Sequence, residues 1–187
     1  MIKAIYDACV LYSAPLRNLL LRLADAKQVE PFWSEEIHDE WIRSLLRNRP
    51  DLIRDNLERT RRKMDSHFSD ALVRGYESII PTLTLPDPND RHVLAVAIHV
   101  KAEYIVTFNL TDFPKSHLRS YGIEAVSPDE VVLRMIQKRP SRIIATVKDH
   151  RLSLKRPSKT VSEYLATLEK QGLPQTVVFL REHADEI

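Results

Sequence analysis

What this sequence lacks excludes several kinds of protein before any motif is considered. Its single cysteine, Cys9, excludes a disulfide framework and a cysteine-based zinc site. Three glycines are too few for a glycine-rich phosphate-binding loop. No charged and then apolar leader opens the sequence, and no apolar run approaches membrane-spanning length. We therefore expect a reduced, cytoplasmic, globular protein.

Composition and length set the scale of the fold but not its function. The formal net charge of +2 neither requires nor excludes a nucleic-acid partner. Hydrophobic residues make up 43% of the 187 residues and charged residues 29%, which is ordinary for a soluble protein. A chain of this length can form one domain with an appendage. We predict a main domain at residues 1–128 and an all-helical C-terminal extension at 129–187.

Hydrophobic patterning predicts an α/β fold for the main domain. Short β-rich runs alternate with amphipathic or wholly apolar helical stretches, and this alternation is typical of a parallel sheet covered by helices. We expect about four or five strands, with helices on both faces. The runs predicted as strands are 2–6, 29–33, 104–107 and 123–126.

Polar residues follow the predicted strands at the positions where such folds hold their sites. Asp7 comes directly after the first strand, and Asn109 and Asp112 follow the strand at 104–107. Asp90 stands at the expected start of a buried helix whose end leads into that same strand. Because the carboxyl ends of parallel strands share one edge of a sheet, these side chains should lie close together.

A further acid is expected from the helix after the second strand, for which Ser34 is a natural N-cap. Glu40 borders the apolar stripe of this helix, but periodicity alone does not favour it over Glu36. Several carboxylates at one edge repel each other unless a cation lies between them. Oxygen ligands without cysteine or paired histidine favour Mg²⁺ or Mn²⁺, and such ions suit phosphoryl chemistry.

Four motifs in sequence order resemble those of the PIN-domain nucleases, and within that family the VapC-type toxins. They are IYDACVLYSA, WSEEIHDEW, DPNDRHVLAVAI and YIVTFNLTDFP. The resemblance implies a compact parallel-sheet fold, a Mg²⁺-dependent endoribonuclease, a cognate antitoxin and commonly a homodimer. By position, Asp7, Glu40 and Asp90 are similar to the first three acids of the family.

The sequence departs from the family at Asn109, where many relatives carry aspartate. Asparagine keeps an oxygen ligand but lacks the charge, which Asp112 could restore unless it only caps the following turn. Asp87 is open in the same way, since aspartate is common in turns. The resemblance thus gives two overlapping sets. The predicted catalytic residues are Asp7, Glu40, Asp90 and Asp112. The predicted metal ligands are Asp7, Asp90, Asn109 and Asp112.

The extension begins with a strongly basic stretch. Residues 138–159 hold eight Lys or Arg and one acid, Asp149. The charges favour contact with RNA phosphates, for which we name Arg151, Lys155 and Arg156. The interleaved apolar residues favour packing against a second subunit or an antitoxin instead. A non-enzymatic RNA-binding or regulatory protein on a degenerate PIN scaffold is the alternative to a ribonuclease.

Overall fold

The computed structural model describes all residues, 1–187, and contains four strands and ten helices joined by short 3₁₀ turns. The strands are β1 (Ile2–Tyr6), β2 (Val29–Phe32), β3 (Tyr104–Val106) and β4 (Glu124–Val126). The helices are α1 (Ala8–Tyr12), α2 (Ala14–Asp25), α3 (Glu35–Asn48), α4 (Arg54–His67), α5 (Arg91–Val100), α6 (Lys115–Leu118), α7 (Pro128–Lys138), α8 (Pro140–Ser153), α9 (Val161–Lys170) and α10 (Pro174–Glu182). None of the ten helices is both long and apolar enough to cross a membrane.

The predicted α/β architecture is confirmed, with all four strands close to their expected bounds. One detail differs from the prediction, since the short helix α1 was not predicted. Helix α4 begins at Arg54, and Asp51 lies in the turn before it, where its carboxylate accepts hydrogen bonds from Arg49 Nε at 2.8 Å and Nη2 at 2.6 Å.

The sheet has the strand order β2-β1-β3-β4, and β1 and β4 each pair with β3 in parallel. Tyr6 stands beside Val106 and Val106 beside Val126, so these three strands end together. The ladder continues one step further. The N–H of Asp7 donates to Val106 O at 3.1 Å, and the N–H of Thr107 donates to Val126 O at 3.0 Å. Asp7 and Thr107 therefore begin neighbouring loops at one edge of the sheet.

Contacts divide the chain into two compact units. The sheet unit comprises residues 2–12 and 30–126, and within it α5 packs on β1 and β3. The helical unit comprises residue 1 and residues 13–29 and 127–187. Helix α2 belongs to the helical unit although it lies within the predicted main domain, because it contacts α8 and α9. Its four buried leucines are Leu16, Leu19, Leu20 and Leu23.

The whole of α8 lies within the basic stretch, and the apolar residues of this helix are part of the core of the helical unit. Ile143, Ile144 and Val147 are buried there. The carboxylate of buried Asp129, in the first turn of α7, accepts the N–H groups of Gln175 and Thr176 at 3.0 and 2.9 Å. These N–H groups belong to the first turn of α10 and have no partner within that helix, so Asp129 fixes α10 to α7.

Candidate active site at the carboxyl edge of the sheet

Four of the predicted site residues line one cleft of about 300 Å³ in the sheet unit. They are Asp7, Glu40, Asp90 and Asn109. Asp112 does not line this cleft, although its charge contributes to the raised pKa of Asp90. The structure therefore gathers three carboxylates and one amide at a common surface. A fourth carboxylate, that of Asp112, is near enough to interact electrostatically with Asp90.

Asp7 is the most firmly held of these side chains. Its Oδ1 accepts the N–H of Ala8 at 2.6 Å, and its Oδ2 accepts the hydroxyl of Thr107 at 2.6 Å and the thiol of Cys9 at 3.2 Å. The Thr107 hydroxyl oxygen also accepts the N–H of Asn109 at 3.0 Å. Thr107 thus links the first acid of the site to the backbone of the asparagine that follows β3.

Cys9 contributes to the same link as a protonated thiol. Its sulfur accepts the N–H of Phe108 at 3.3 Å while donating to Asp7. Burial raises the pKa of the Cys9 thiol to about 12, with the Asp7 charge adding to the effect. The sequence prediction gave Cys9 and Thr107 no part in the site. Their positions in the sequence could have indicated a role, since each residue stands within three residues of the end of a strand.

Glu40, rather than Glu36, is the acid of α3 that faces the cleft. Its Oε1 lies 3.0 Å from Nε2 of buried His92. Glu36 lies on the other side of that ring, with its Oε2 3.4 Å from Nδ1, and accepts the hydroxyl of Tyr76 at 3.3 Å. Burial lowers the pKa of His92, but its hydrogen bond to Glu40 and the charges of both glutamates outweigh this and raise it overall. His92 was not predicted as a site residue.

A buried network fixes the helix that carries Glu40. Trp41 Nε1 donates to His38 Nδ1 at 2.9 Å, so the other ring nitrogen of neutral His38 must carry the proton and donate to Asp65 at 3.0 Å. The same Asp65 oxygen accepts Trp33 Nε1 at 2.8 Å. Burial lowers the pKa of His38, which favours this neutral form. Because Asp65 belongs to α4, the network holds α3 to α4 and so positions Glu40.

The two aspartates of the proline-rich turn have different roles. Asp87 accepts the N–H of Asn89 at 2.8 Å and caps the 3₁₀ turn that precedes α5. Asp90 occupies the N-cap position of α5, yet its side chain makes no capping hydrogen bond and lines the cleft. The pKa of Asp90 is raised to about 6. Burial is the largest cause, and the charges of Asp7, Asp87 and two other carboxylates add to it.

Comparison with known proteins identifies this arrangement. The family described as PIN domain matches residues 3–111, more than half of the chain and all of the cleft. The chain belongs to the PIN domain family. The predicted resemblance is confirmed, and residues 128–182 match a second family, described as VapC50 C-terminal domain. These two matches in succession support a PIN protein of VapC type with a helical extension.

One curated relative is similar over part of the chain. It is a protein of Mycobacterium tuberculosis named "Putative ribonuclease VapC50", and it is 43% identical over 63 residues. The match covers 34% of this chain and only 37% of that relative. No solved structure matches.

PIN-domain nucleases generally use a divalent metal ion, and the residue types in this cleft fit one. The donors are carboxylate and amide oxygens, which suit a hard ion, while the protonated thiol of Cys9 is a poor ligand. No three His, Cys, Asp or Glu side chains of the chain converge closely enough to enclose a metal. Asp7 and Glu40 are instead held by protein donors. Enclosing an ion would require the carboxylates to move towards each other.

The raised pKa of Asp90 predicts how the metal-free protein responds to pH. An acid whose folded pKa lies above its unfolded value costs stability once it ionises. Here that cost develops as the pH rises from about 4 to about 6 and persists at higher pH. Asp90→Asn should therefore raise the melting temperature above about pH 6 and change it little below about pH 4.

Thermal denaturation in EDTA across this pH range measures the effect. Asp70→Asn, which alters an exposed aspartate of the same unit, is the matched control and should show no such pH dependence. Equal melting temperatures for Asp90→Asn and wild type at neutral pH would contradict the prediction.

Proposed function

We propose that this protein is a metal-dependent endoribonuclease that hydrolyses RNA phosphodiester bonds and serves as the toxin of a toxin–antitoxin pair. The proposal is carried by the gathering of Asp7, Glu40, Asp90 and Asn109 in one cleft of a PIN domain. The relative's name, which includes the word ribonuclease, supports the same reaction.

We assign different chemical roles to the side chains of the cleft. Asp7, Asp90 and Asn109 would hold Mg²⁺ or Mn²⁺, and Asp7 is pre-oriented by its hydrogen bonds. Bound there, such an ion supplies activation of water and neutralises charge on the phosphate. With a pKa of about 6, Asp90 is mostly ionised at neutral pH and so is able to ligate a cation. Glu40, which is oriented by His92, would accept a proton from the attacking water.

Asn109 rather than Asp112 is our candidate for direct contact with the ion. Asn109 lines the cleft, whereas Asp112 lies three residues on, with its N–H donating to Asn109 O at 3.1 Å. Asp112 would then act by its charge alone. It adds to the negative potential around Asp90 without filling a ligand position.

The partners and the cellular location extend this proposal. A toxin of this type has a cognate antitoxin protein and is commonly itself a homodimer. We propose both for this chain, together with a cytoplasmic site of action on RNA. The match of residues 128–182 to the VapC50 C-terminal domain supports the VapC type for the extension as well as for the PIN domain.

A non-enzymatic RNA-binding or regulatory protein is the second candidate. It is favoured by the neutral Asn109 at the fourth position and by the lack of a closed cluster of metal-binding side chains. Such a protein would bind RNA through its basic residues without cleaving it.

Substitution of the acids separates the two candidates. Asp7→Asn and Glu40→Gln should each lower Mg²⁺-dependent cleavage of cellular RNA by about 100-fold or more, because a ligand or a proton acceptor is removed. Glu36→Gln is the control on the same helix and should retain most activity, since Glu36 does not line the cleft. Purified wild-type protein that binds RNA but never cleaves it in Mg²⁺ or Mn²⁺ would favour the second candidate.

The fourth position can be tested by titrating activity against Mg²⁺. Asn109→Asp should shift the midpoint to lower Mg²⁺, because a formal charge replaces a neutral oxygen. Asp112→Asn should shift it to higher Mg²⁺ by a smaller factor if Asp112 acts only through its field. If neither midpoint moves, the cation is held without either residue.

The three basic residues predicted to contact RNA differ in their surroundings. Lys155 and Arg156 are exposed in the loop after α8. Arg151 is committed within the helical unit, where its guanidinium donates to Lys159 O at 2.9 Å and to Ile187 O at 3.2 Å. Its first role is therefore to hold the end of this unit together. We propose Lys155 and Arg156 as the residues of the extension that bind RNA.

Neutralising Lys155 and Arg156 together should flatten the salt dependence of RNA binding. The slope of log affinity against log salt falls by about 0.7 for each phosphate of single-stranded RNA that the protein no longer neutralises. Cleavage of a saturating short substrate should persist because the acids are unchanged. Arg151→Gln is expected to destabilise the fold instead. An unchanged slope with altered oligomeric state or antitoxin affinity would support packing rather than RNA binding.

A further inference from the structure

The cleft continues beyond the acids along one stripe of α3. Arg43, Ser44 and Arg47 line it together with Glu40. Arg43 and Ser44 follow Glu40 by three and four residues, and Arg47 follows Arg43 by four, so these positions lie on one face of the helix. Arg47 lies roughly 10 Å further along the helix than Glu40. A single helical stripe thus carries a carboxylate at one end of the cleft and two guanidinium groups at the other.

Arg43 and Arg47 lack the acidic partner that several other arginines of the sheet unit have. Arg49 pairs with Asp51, Arg74 with Glu35, and Arg61 with several carboxylates. Arg43 and Arg47 are exposed, and neither lies within ion-pair distance of a carboxylate. Like charges four residues apart on a helix repel each other. An anion in the cleft would relieve that repulsion.

The acidic end of the cleft requires such a counter-charge if its substrate is RNA. Asp7, Glu40 and Asp90 repel a polyanion, and a cation bound among them compensates only the phosphate it contacts. The guanidinium fork matches two phosphate oxygens at once, and Ser44 adds a hydroxyl donor. Tyr12 also lines the cleft and receives a hydrogen bond from Asn48 at 3.2 Å, which orients an aromatic ring on which a base can stack.

We propose that Arg43, Ser44 and Arg47 form a binding site for a backbone phosphate of single-stranded RNA next to the phosphate that is cleaved. This inference rests on the proposed ribonuclease function and adds the residues that position the strand. An acidic protein segment is the other anion that could occupy the stripe, and it is distinguished by the test.

The test compares two double variants that remove the same charge. Arg43→Gln/Arg47→Gln alters the cleft stripe. Arg59→Gln/Arg62→Gln alters two exposed arginines of α4 that do not line the cleft and lie in no ion pair. Binding of a fluorescein-labelled oligouridylate to the full chain is measured in EDTA, where cleavage is prevented, over a range of salt. The cleft variant should lower the salt slope by about 0.7 for each phosphate it no longer neutralises, and the α4 variant should leave the slope unchanged.

Kinetics with Mg²⁺ provide a second measurement. The cleft variant should raise KM for RNA more than it lowers kcat, because the acids remain. Arg43→Lys/Arg47→Lys keeps the charges but removes the fork, so it should bind more weakly with an unchanged slope. This lysine variant keeps the proposal testable if the glutamine variant does not fold.

Equal slopes for wild type and the cleft variant would overturn the proposal. If these slopes are equal and the cleft variant binds polyglutamate more weakly than wild type does, the stripe is instead a site for an acidic protein segment. Failure of the ribonuclease function is a separate outcome, since wild type would then bind RNA without cleaving it in Mg²⁺. The slopes measured in EDTA decide the phosphate site in either case.

Discussion

The mutual repulsion of carboxylates at one edge of the sheet is the constraint on which the site depends. Asp7 and Asp90 reach this edge because β1 ends there and α5 begins there. Their proximity has a measurable consequence, since the charge of Asp7 adds to burial in raising the pKa of Asp90. A fold that gathers these groups loses stability at neutral pH unless something compensates.

Compensation comes from donors that hold the acids one by one. Asp7 receives hydrogen bonds from a backbone N–H, a hydroxyl and a thiol, and Glu40 from the ring of His92. Asp90 lacks such a donor, and burial together with neighbouring carboxylates raises its pKa. The acid with the least protein support is therefore the one whose energy would improve most when a cation arrives. This matches a role as metal ligand better than a role as helix cap.

The sequence predicted the parts of this site that depend on local pattern. Strand bounds, helix stripes and the residues directly after strands follow from periodicity, so Asp7, Asp90 and Asn109 could be placed at one edge. Partners distant in sequence could not be predicted in this way. Thr107 bonds to Asp7 across 100 positions, and His92 bonds to Glu40 across 52. The choice of Glu40 over Glu36, the hydrogen bonds of Arg151 to carbonyl groups and the grouping of α2 with the C-terminal helices likewise depend on packing in three dimensions.

Asn109 fits the same electrostatic constraint. A fourth carboxylate at this position would stand in the cleft with Asp7 and Asp90 and raise the cost of the metal-free state further. The amide keeps an oxygen there without that cost, and its backbone is already tied to Asp7 through Thr107. The corresponding loss is charge available to a cation, which Asp112 returns only partly because it does not line the cleft. Asn109 therefore makes the metal-free site more stable and cation binding weaker. A protein with this asparagine should bind its metal more weakly than one with four acids.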